Sequence, residues 1–289
     1  MKHKFEDIII NVTQKKKPTD DDRNNYIGLE HLESGNLFIE KYGSERTPDG
    51  EKIVMKKGDV LFGKRRAYQK KVAISPCDGI FSAHGMVLRP KENVICKDYL
   101  PFFISSDKFL DEAIRISVGG LSPTINWKDI KELEFDLPPL DKQEQLAKKL
   151  WAAYEVKQSY LKMITATDEI LKSRFIEMFD KVKNKKSLCD ICRPKQWPTI
   201  PASEFTDEGY LVYGANGIIG KYNRYNHEDK TITIACRGAS CGAVNITEPK
   251  SYITGNAMAI DNIIENVQFE YLAYFLHMFA FKRIITGGA

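Results

Sequence analysis

A chain of 289 residues, 43% of them hydrophobic, is long and apolar enough to bury the cores of two ordinary domains, which excludes a disordered chain. Its 43 basic and 39 acidic residues nearly balance, so only the local distribution of charge is informative about partners. The six cysteines are too few for a disulfide scaffold. No secretory signal follows Met1, and the apolar stretch 269–281 is too short to span a bilayer. We therefore expect a cytoplasmic protein that does not bind membranes.

The first part of the chain combines short β-rich runs with one apolar helical segment. Strands are predicted at 58–62 and 71–74, where branched and aromatic residues are bounded by glycine and polar turns. A helix is predicted near 98–116. This mixture is typical of an α+β domain.

A strongly basic segment lies between those two predicted strands. The window 51–75 contains eight lysines and arginines against two acidic residues. Such cations neutralise phosphates, arginine binds guanine edges, and glutamine binds adenine. The alternative is a solvated basic hairpin without a ligand. The candidate DNA contacts are Lys64, Arg65, Arg66, Tyr68, Gln69, Lys70 and Lys71.

The middle of the chain predicts one long helix. No glycine or proline occurs between Leu140 and Arg193, and 141–180 is rich in good helix formers. At 1.5 Å per residue such a helix would be roughly 60 Å long. Either it packs along its own domain, or it is a rigid spacer whose apolar stripe needs a partner helix. The stripe, an interrupted heptad seam, consists of Leu146, Leu150, Ala153, Tyr160, Ile164, Leu171 and Met178.

The last part of the chain predicts a second set of strands and a helix. Asn216-Gly217 between two apolar runs indicates a tight hairpin. A strand is predicted at 231–234 and a helix near 269–285. The window 223–247 is nearly neutral, so this half should bind its target differently from the first. Its candidate DNA contacts are Asn216, Lys221, Tyr222, Arg224 and Arg237.

The two halves repeat one pattern. The run 82–88 resembles 254–260, with Met86 and Met258 lying 172 positions apart. Other residues match at the same spacing: Val60 with Ile232, Phe62 with Ile234, Arg65 with Arg237, Val72 with Val244 and Ile74 with Ile246. After a shift of register, 116–120 matches 284–288. We interpret this as two copies of one domain, which suggests a target with two separate parts.

Sites for catalysis, cofactors or metals are not predicted. Gly220-Lys221 is similar to a phosphate-binding loop, but Ala215 and Tyr222 replace residues that such a loop requires. Two cysteine pairs, at 189 and 192 and at 236 and 241, lie too far apart in sequence for a typical zinc site, which favours ordinary thiols.

Two groups of motifs resemble a known family. Leu137-Pro138-Pro139-Leu140, followed by Gln143-Glu144-Gln145 and the long helix, is similar to the conserved region of specificity subunits in type I restriction–modification systems. The segments 214–220, 232–234 and 254–258 resemble a target-recognition domain of those subunits. The resemblance covers nearly the whole chain.

The resemblance implies two similar target-recognition domains, at 1–140 and 183–289, joined by a coiled-coil-type helical spacer at 141–182. Each domain would read half of a bipartite site in double-stranded DNA. The helix would dock methyltransferase subunits, through which restriction subunits join, and catalysis would belong to those partners.

The chain departs from the family pattern at its end. Ala289 aligns with Leu121 of the first copy, so we expect a C-terminally incomplete second domain. That expectation adds a homodimer through the long helix as an alternative assembly. The competing functions are a stand-alone enzyme that modifies or cleaves DNA and a protein–protein adaptor that never binds DNA.

Overall fold

A computed structural model describes residues 2–179, 181–183, 185–238, 240–279 and 281. The chain divides into two units, Met1–Met163 and Ile164–Ala289. Three predicted segments extend outside the described part: the long helix at residue 180, the last helix at residues 280 and 282–285, and the whole matched run 284–288.

The first unit contains ten strands and four short helices before the long helix begins. The strands are β1 (Lys2–Lys4), β2 (Ile9–Val12), β3 (Lys15–Lys16), β4 (Tyr26–Ile27), β5 (Lys52–Met55), β6 (Val60–Phe62), β7 (Val72–Ile74), β8 (Gly79–Phe81), β9 (Met86–Pro90) and β10 (Glu134–Asp136). The helices are α1 (Phe5–Ile8), α2 (Leu100–Ser105), α3 (Asp107–Arg115), α4 (Trp127–Ile130) and α5 (Leu140–Phe179).

Two four-stranded sheets form the first unit, with orders β2-β9-β6-β7 and β3-β5-β8-β4, and β1 pairs with β10. The side chains of Val60 and Phe62 in β6 belong to one core, whereas Leu61 between them belongs to a second core. This alternation follows from the two-residue period of a strand. Phe5, Phe109 and Phe135 lie at the centre of the first core, where their ring centroids are 5.1–6.0 Å apart.

Among the described residues, the second unit repeats this plan with seven strands, three fewer than the first. Its elements are α6 (Leu188–Ile191), β11 (Arg193–Gln196), β12 (Tyr210–Gly214), β13 (Gly217–Tyr222), β14 (Ile232–Ala235), β15 (Val244–Ile246), β16 (Tyr252–Ile253), β17 (Ala257–Asp261) and α7 (Phe269–Met278). The sheet β11-β17-β14-β15 corresponds to β2-β9-β6-β7, and the parallel pair β12-β16 corresponds to β4-β8.

The strand register confirms the internal repeat. In each unit the central strand pairs with the same two neighbours, and the paired positions differ by the 172-residue spacing of the sequence match. The equivalent partners are Phe62 with Val72 and Met86 in the first unit, and Ile234 with Val244 and Met258 in the second. The units therefore share a hydrogen-bonding pattern as well as a sequence pattern.

The predicted helix near 98–116 is wrong in one respect, because it is two helices. The chain becomes extended at Ser106, whose hydroxyl accepts a hydrogen bond from the Phe109 amide and so caps α3. In the second unit, the predicted hairpin is confirmed, although its turn is formed by residues 215 and 216, one position earlier than predicted. The long helix spans Leu140–Phe179, so it begins one residue before the predicted start at 141, and the predicted last residue, 180, lies outside the described part.

Candidate nucleic-acid interface and partner helix

The basic segment of the first unit is a loop with a defined conformation between β6 and β7. The Arg65 amide donates to the His84 carbonyl at 3.2 Å, and the Arg66 amide donates to the Pro123 carbonyl at 2.7 Å. The Ile125 amide donates to the Lys64 carbonyl at 2.9 Å. Segments remote in sequence therefore fix the backbone of the three successive cations.

The last two cations of the loop have partners within the protein. Lys70 Nζ lies 2.8 Å from Asp107 Oδ1, at the start of α3, and 3.2 Å from Asp111 Oδ1, one turn further along that helix. Lys71 Nζ donates to the Leu29 carbonyl at 2.7 Å. These interactions position the loop, and they reduce the positive charge that Lys70 presents to a ligand.

The first three cations lack such compensation. Among the residues that the structure describes, no carboxylate forms an ion pair with Lys64, Arg65 or Arg66. Partial burial lowers the pKa of the Lys64 ammonium, and the charge of Lys15 lowers it further. Unpaired cations this close together favour a bound anion.

We call Lys64, Arg65 and Arg66 the cationic cluster. A histidine and two uncharged side chains lie beside it. Desolvation lowers the pKa of His84, and the charges of Arg65, Lys64 and Lys52 lower it further. His84 Nε2 lies 3.5 Å from Arg65 Nη1. Tyr68 is exposed and Gln69 is half-buried on the same loop. His84 was absent from the sequence prediction, although it belongs to the repeated run 82–88 that revealed the second domain.

A second loop lies against the cationic cluster. The Val118 and Thr124 amides each donate to the other residue's carbonyl, at 3.0 and 2.9 Å, which closes the loop 118–124. Arg66 Nε donates to Ser122 Oγ at 3.4 Å. Leu121 at the tip is 98% exposed. The sequence prediction missed this loop, although its two glycines are a turn signal.

The five candidates in the second unit fall into two groups. Ser240 Oγ donates to the Ala215 carbonyl at 3.1 Å, which links the turn containing Asn216 to the loop containing Arg237. Lys221 and Tyr222 lie at the opposite end of β13, about 17 and about 20 Å from Asn216 along the strand.

In the second of these groups, Tyr222 already has a hydrogen-bond partner within the protein. The Tyr222 hydroxyl donates to Glu204 Oε2 at 3.2 Å. Arg224 follows the end of β13 and is exposed. The Ser240–Ala215 hydrogen bond therefore joins the loops that carry Asn216 and Arg237, whereas Lys221, Tyr222 and Arg224 lie at or beyond the other end of β13.

The first part of α5 packs on the first unit through a stripe that differs from the predicted seam. Gln143, Ala147 and Tyr154 are buried, and the Tyr154 hydroxyl accepts from the Leu37 amide at 2.7 Å. Leu146 and Leu150 each lie three positions beyond a buried residue, which rotates them by about 60° around the helix. All seven predicted interface residues are exposed: Leu146, Leu150, Ala153, Tyr160, Ile164, Leu171 and Met178.

The last part of α5 packs within the second unit through aromatic side chains that the sequence prediction omitted. The Phe175 ring centroid lies 5.6 Å from that of Tyr271 and 5.0 Å from that of Tyr274. The Phe179 ring centroid lies 4.9 Å from that of Tyr271. Between these ends, every residue from 159 to 174 is exposed. The helix therefore presents its middle to solvent.

Within the described ranges, no three histidine, cysteine, aspartate or glutamate residues gather as metal ligands. In the same part of the chain, no helix combines the length and the apolarity needed to cross a bilayer.

Comparison with known proteins identifies the family. Residues 5–163 and 180–289 match the type I restriction modification DNA specificity domain. The chain is 25% identical over 149 residues to the type I restriction enzyme EcoDI specificity subunit of Escherichia coli, covering 51% of this chain and 33% of that protein. It is 26% identical over 271 residues to the putative type I restriction enzyme MjaX specificity subunit of Methanocaldococcus jannaschii, covering 80% of this chain and 63% of that protein. The chain thus spans less than two thirds of the length of either relative.

Solved structures share the fold at low sequence identity. The type I restriction-modification system S subunit from M. genitalium superposes with a TM-score of 0.53 at 16% identity, covering 96% of this chain and 78% of the other. A chain from a structure of type I R-M complex assembly and conformational transition gives a TM-score of 0.50 at 18% identity, covering 96% and 79%. These likenesses confirm the α+β architecture of two similar domains and a long helix. The chain belongs to the type I restriction–modification DNA specificity family.

Proposed function

We propose that this chain is a DNA-recognition subunit without catalytic activity of its own, which supplies a type I restriction–modification complex with its target sequence. The observation that carries the proposal is the cationic cluster of the first domain. Lys64, Arg65 and Arg66 lie on a fixed loop without carboxylate partners among the described residues. Such a surface suits the phosphates and guanine edges of duplex DNA. The relatives' description as specificity subunits supports the same role.

The two domains would read separate halves of a bipartite site. We propose that Lys64, Arg65, Arg66, Tyr68 and Gln69 contact DNA in the first domain, while Lys70 and Lys71 chiefly hold the loop. In the second domain Asn216 and Arg237 would contact DNA together, and Lys221, Tyr222 and Arg224 would form a separate contact. The first domain should depend more strongly on salt because its loop carries more unpaired cations.

The middle of α5 would dock methyltransferase subunits, which would recruit restriction subunits in turn. Side chains of Tyr160, Ile164 and Leu171 are about half exposed or more. Burying a large apolar side chain contributes about 1.5–3 kcal/mol, so this helix gains stability from a partner. We retain target-recognition domains at 1–140 and 183–289 and a helical spacer at 141–182 as proposed boundaries. A second copy of the chain is the alternative partner for the same seam.

Selection from random-sequence duplex DNA tests the proposal. The full chain, alone and with its methyltransferase subunits, should enrich a motif with two defined parts separated by an undefined spacer. It should neither cut DNA nor transfer a methyl group from S-adenosylmethionine on its own. Failure to enrich any motif in either form, or methyl transfer by the pure chain, would overturn the proposal.

A further inference from the structure

The loop 118–124 exposes two apolar side chains to solvent. Leu121 is 98% exposed and Val118 is 57% exposed, whereas most other large apolar side chains of this domain are buried. Water-exposed leucine at a loop tip contributes nothing to folding, since the hydrophobic effect requires burial. These side chains are therefore available to a ligand.

The loop is held in place rather than free. The reciprocal Val118–Thr124 hydrogen bonds close its base, and the Pro123 carbonyl accepts from the Arg66 amide at 2.7 Å. Thr124 also forms a β-bridge with Arg65. Because the tip is attached to the backbone of the cationic cluster on one side, it occupies a fixed position beside Arg65 and Arg66.

The two glycines before the tip, Gly119 and Gly120, differ in whether the backbone requires glycine. Gly119 has a φ of +118°, a conformation that favours glycine. Gly120 has no such requirement, and a Cβ built there would meet no atom within 4 Å. Because position 120 carries no side chain, the loop is thin beside its tip. A thin tip suits close approach to a ligand.

We infer that the loop 118–124 is a second DNA-contacting element of the first domain, in which Leu121 touches the bases while Arg65 and Arg66 hold the adjacent phosphates. The inference rests on the proposed function. Phosphate contacts position a protein on DNA without reading sequence, whereas an apolar side chain in a groove contacts a thymine methyl group or a base step. Leu121 would thus contribute to sequence discrimination.

Duplex DNA is favoured over a membrane as the occupant of this surface. Peripheral membrane binding needs a broad apolar face with basic residues around it. Here two apolar side chains on one narrow loop adjoin three clustered cations, which matches a groove bordered by phosphates.

The test compares variants of the full chain on the duplex selected from the random pool and on a scrambled duplex of equal length. Leu121→Ser should weaken binding to the selected duplex about tenfold, equivalent to about 1.4 kcal/mol, and leave the scrambled duplex within about twofold. The dependence of affinity on salt should not change, because no phosphate contact is lost. Leu121→Met should remain close to wild type, and Gly120→Val should behave like Leu121→Ser.

Ile10→Ser is the matched control, because Ile10 is a half-exposed apolar residue of the same domain that lies on β2. Thermal melts should be unchanged for the Leu121 variants. Equal loss on both duplexes, no loss on either, or the same loss from Ile10→Ser would overturn the inference while leaving DNA recognition intact. Binding of the wild type to phosphatidylserine vesicles with no preference between the duplexes would overturn both the inference and the proposed function.

Discussion

Gln143 accepts a hydrogen bond from the Cys96 amide through its side-chain oxygen at 2.8 Å, and this contact attaches the start of the long helix to the first domain. The side-chain nitrogen of Gln143 donates to the Val94 carbonyl at 3.0 Å and to the Pro138 carbonyl at 2.8 Å. Gln143 is 1% exposed, so water cannot replace these partners. The helix and the domain should consequently unfold together.

Removing the side-chain amide of Gln143 should destabilise the first domain. Gln143→Ala leaves the Cys96 amide and the Val94 and Pro138 carbonyls without their side-chain partner, and we expect a loss of about 3 kcal/mol in the free energy of unfolding. Chemical denaturation followed by circular dichroism measures it. Gln145→Ala, at an exposed position of the same helical turn, should change stability by less than about 0.5 kcal/mol. Equal stabilities for the two variants would show that the contact is dispensable.

The Gln143 contact illustrates what the sequence could and could not predict. A helix without glycine or proline was predictable from composition, and its apolar heptad pattern was visible. The face that packs on the first domain was not predictable, because one of its buried residues, Gln143, is of a type that is usually exposed. Hydrogen bonding, rather than apolarity, makes Gln143 a buried position.

The candidate DNA surface was likewise predictable from the sequence only in part. Local charge predicted the basic loop, but only the fold shows that Lys70 pairs with Asp107 while Lys64, Arg65 and Arg66 have no acidic partner in the described residues. His84 and Leu121 lie beside the basic loop because their segments, far from it in sequence, form hydrogen bonds with its backbone. Such contacts leave no periodic pattern in the sequence from which they could be predicted.

Loss of two unpaired cations should weaken DNA binding and its dependence on salt. Each phosphate contact contributes a slope of about −0.9 in a plot of log affinity against log salt concentration. Arg65→Ala combined with Arg66→Ala should therefore flatten that slope by about two units, as measured by fluorescence anisotropy. Lys2→Ala on the separate β1–β10 pair is the control and should leave the slope unaltered. An unchanged slope in the double variant would mean that the loop does not contact phosphates.

His84 should make DNA affinity and stability depend on pH in opposite directions. Its pKa is lowered in the folded protein by desolvation and then by Arg65, Lys64 and Lys52. Below about pH 6.5 the unfolded chain binds a proton more readily, so the free energy of unfolding should fall as pH falls. A DNA phosphate beside His84 would raise its pKa, so DNA binding should take up a proton and strengthen at lower pH.

Anisotropy titrations at about pH 6 and about pH 7.5, combined with denaturation at the same values, measure both effects of His84. His84→Gln should remove the His84 contribution to each while retaining a hydrogen-bonding side chain. If the variant keeps the full pH dependence of DNA affinity, another group titrates on binding. The role of His84 in the cationic cluster would then be rejected.

Charge in the exposed middle of α5 should disrupt partner docking without unfolding either domain. Ile164→Glu combined with Leu171→Glu places two carboxylates on one face, seven positions apart, where burial would be costly. We expect loss of co-purification with the methyltransferase subunits and unchanged thermal melts. Lys162→Glu combined with Ser173→Glu is the control at exposed polar positions of the same segment. Undiminished co-purification of the Ile164 and Leu171 variant would place the docking surface elsewhere.

The central claim is that this chain determines which DNA sequence its complex recognises, and genome-wide mapping of methylated bases tests it most directly. Cells that lack type I systems would express the methyltransferase subunits with this chain, without it, or with the Arg65→Ala and Arg66→Ala double variant. We predict a bipartite methylated motif that appears only with the wild-type chain and is weakened or lost with the double variant. The same methylated motif in the presence and absence of the chain would contradict the account.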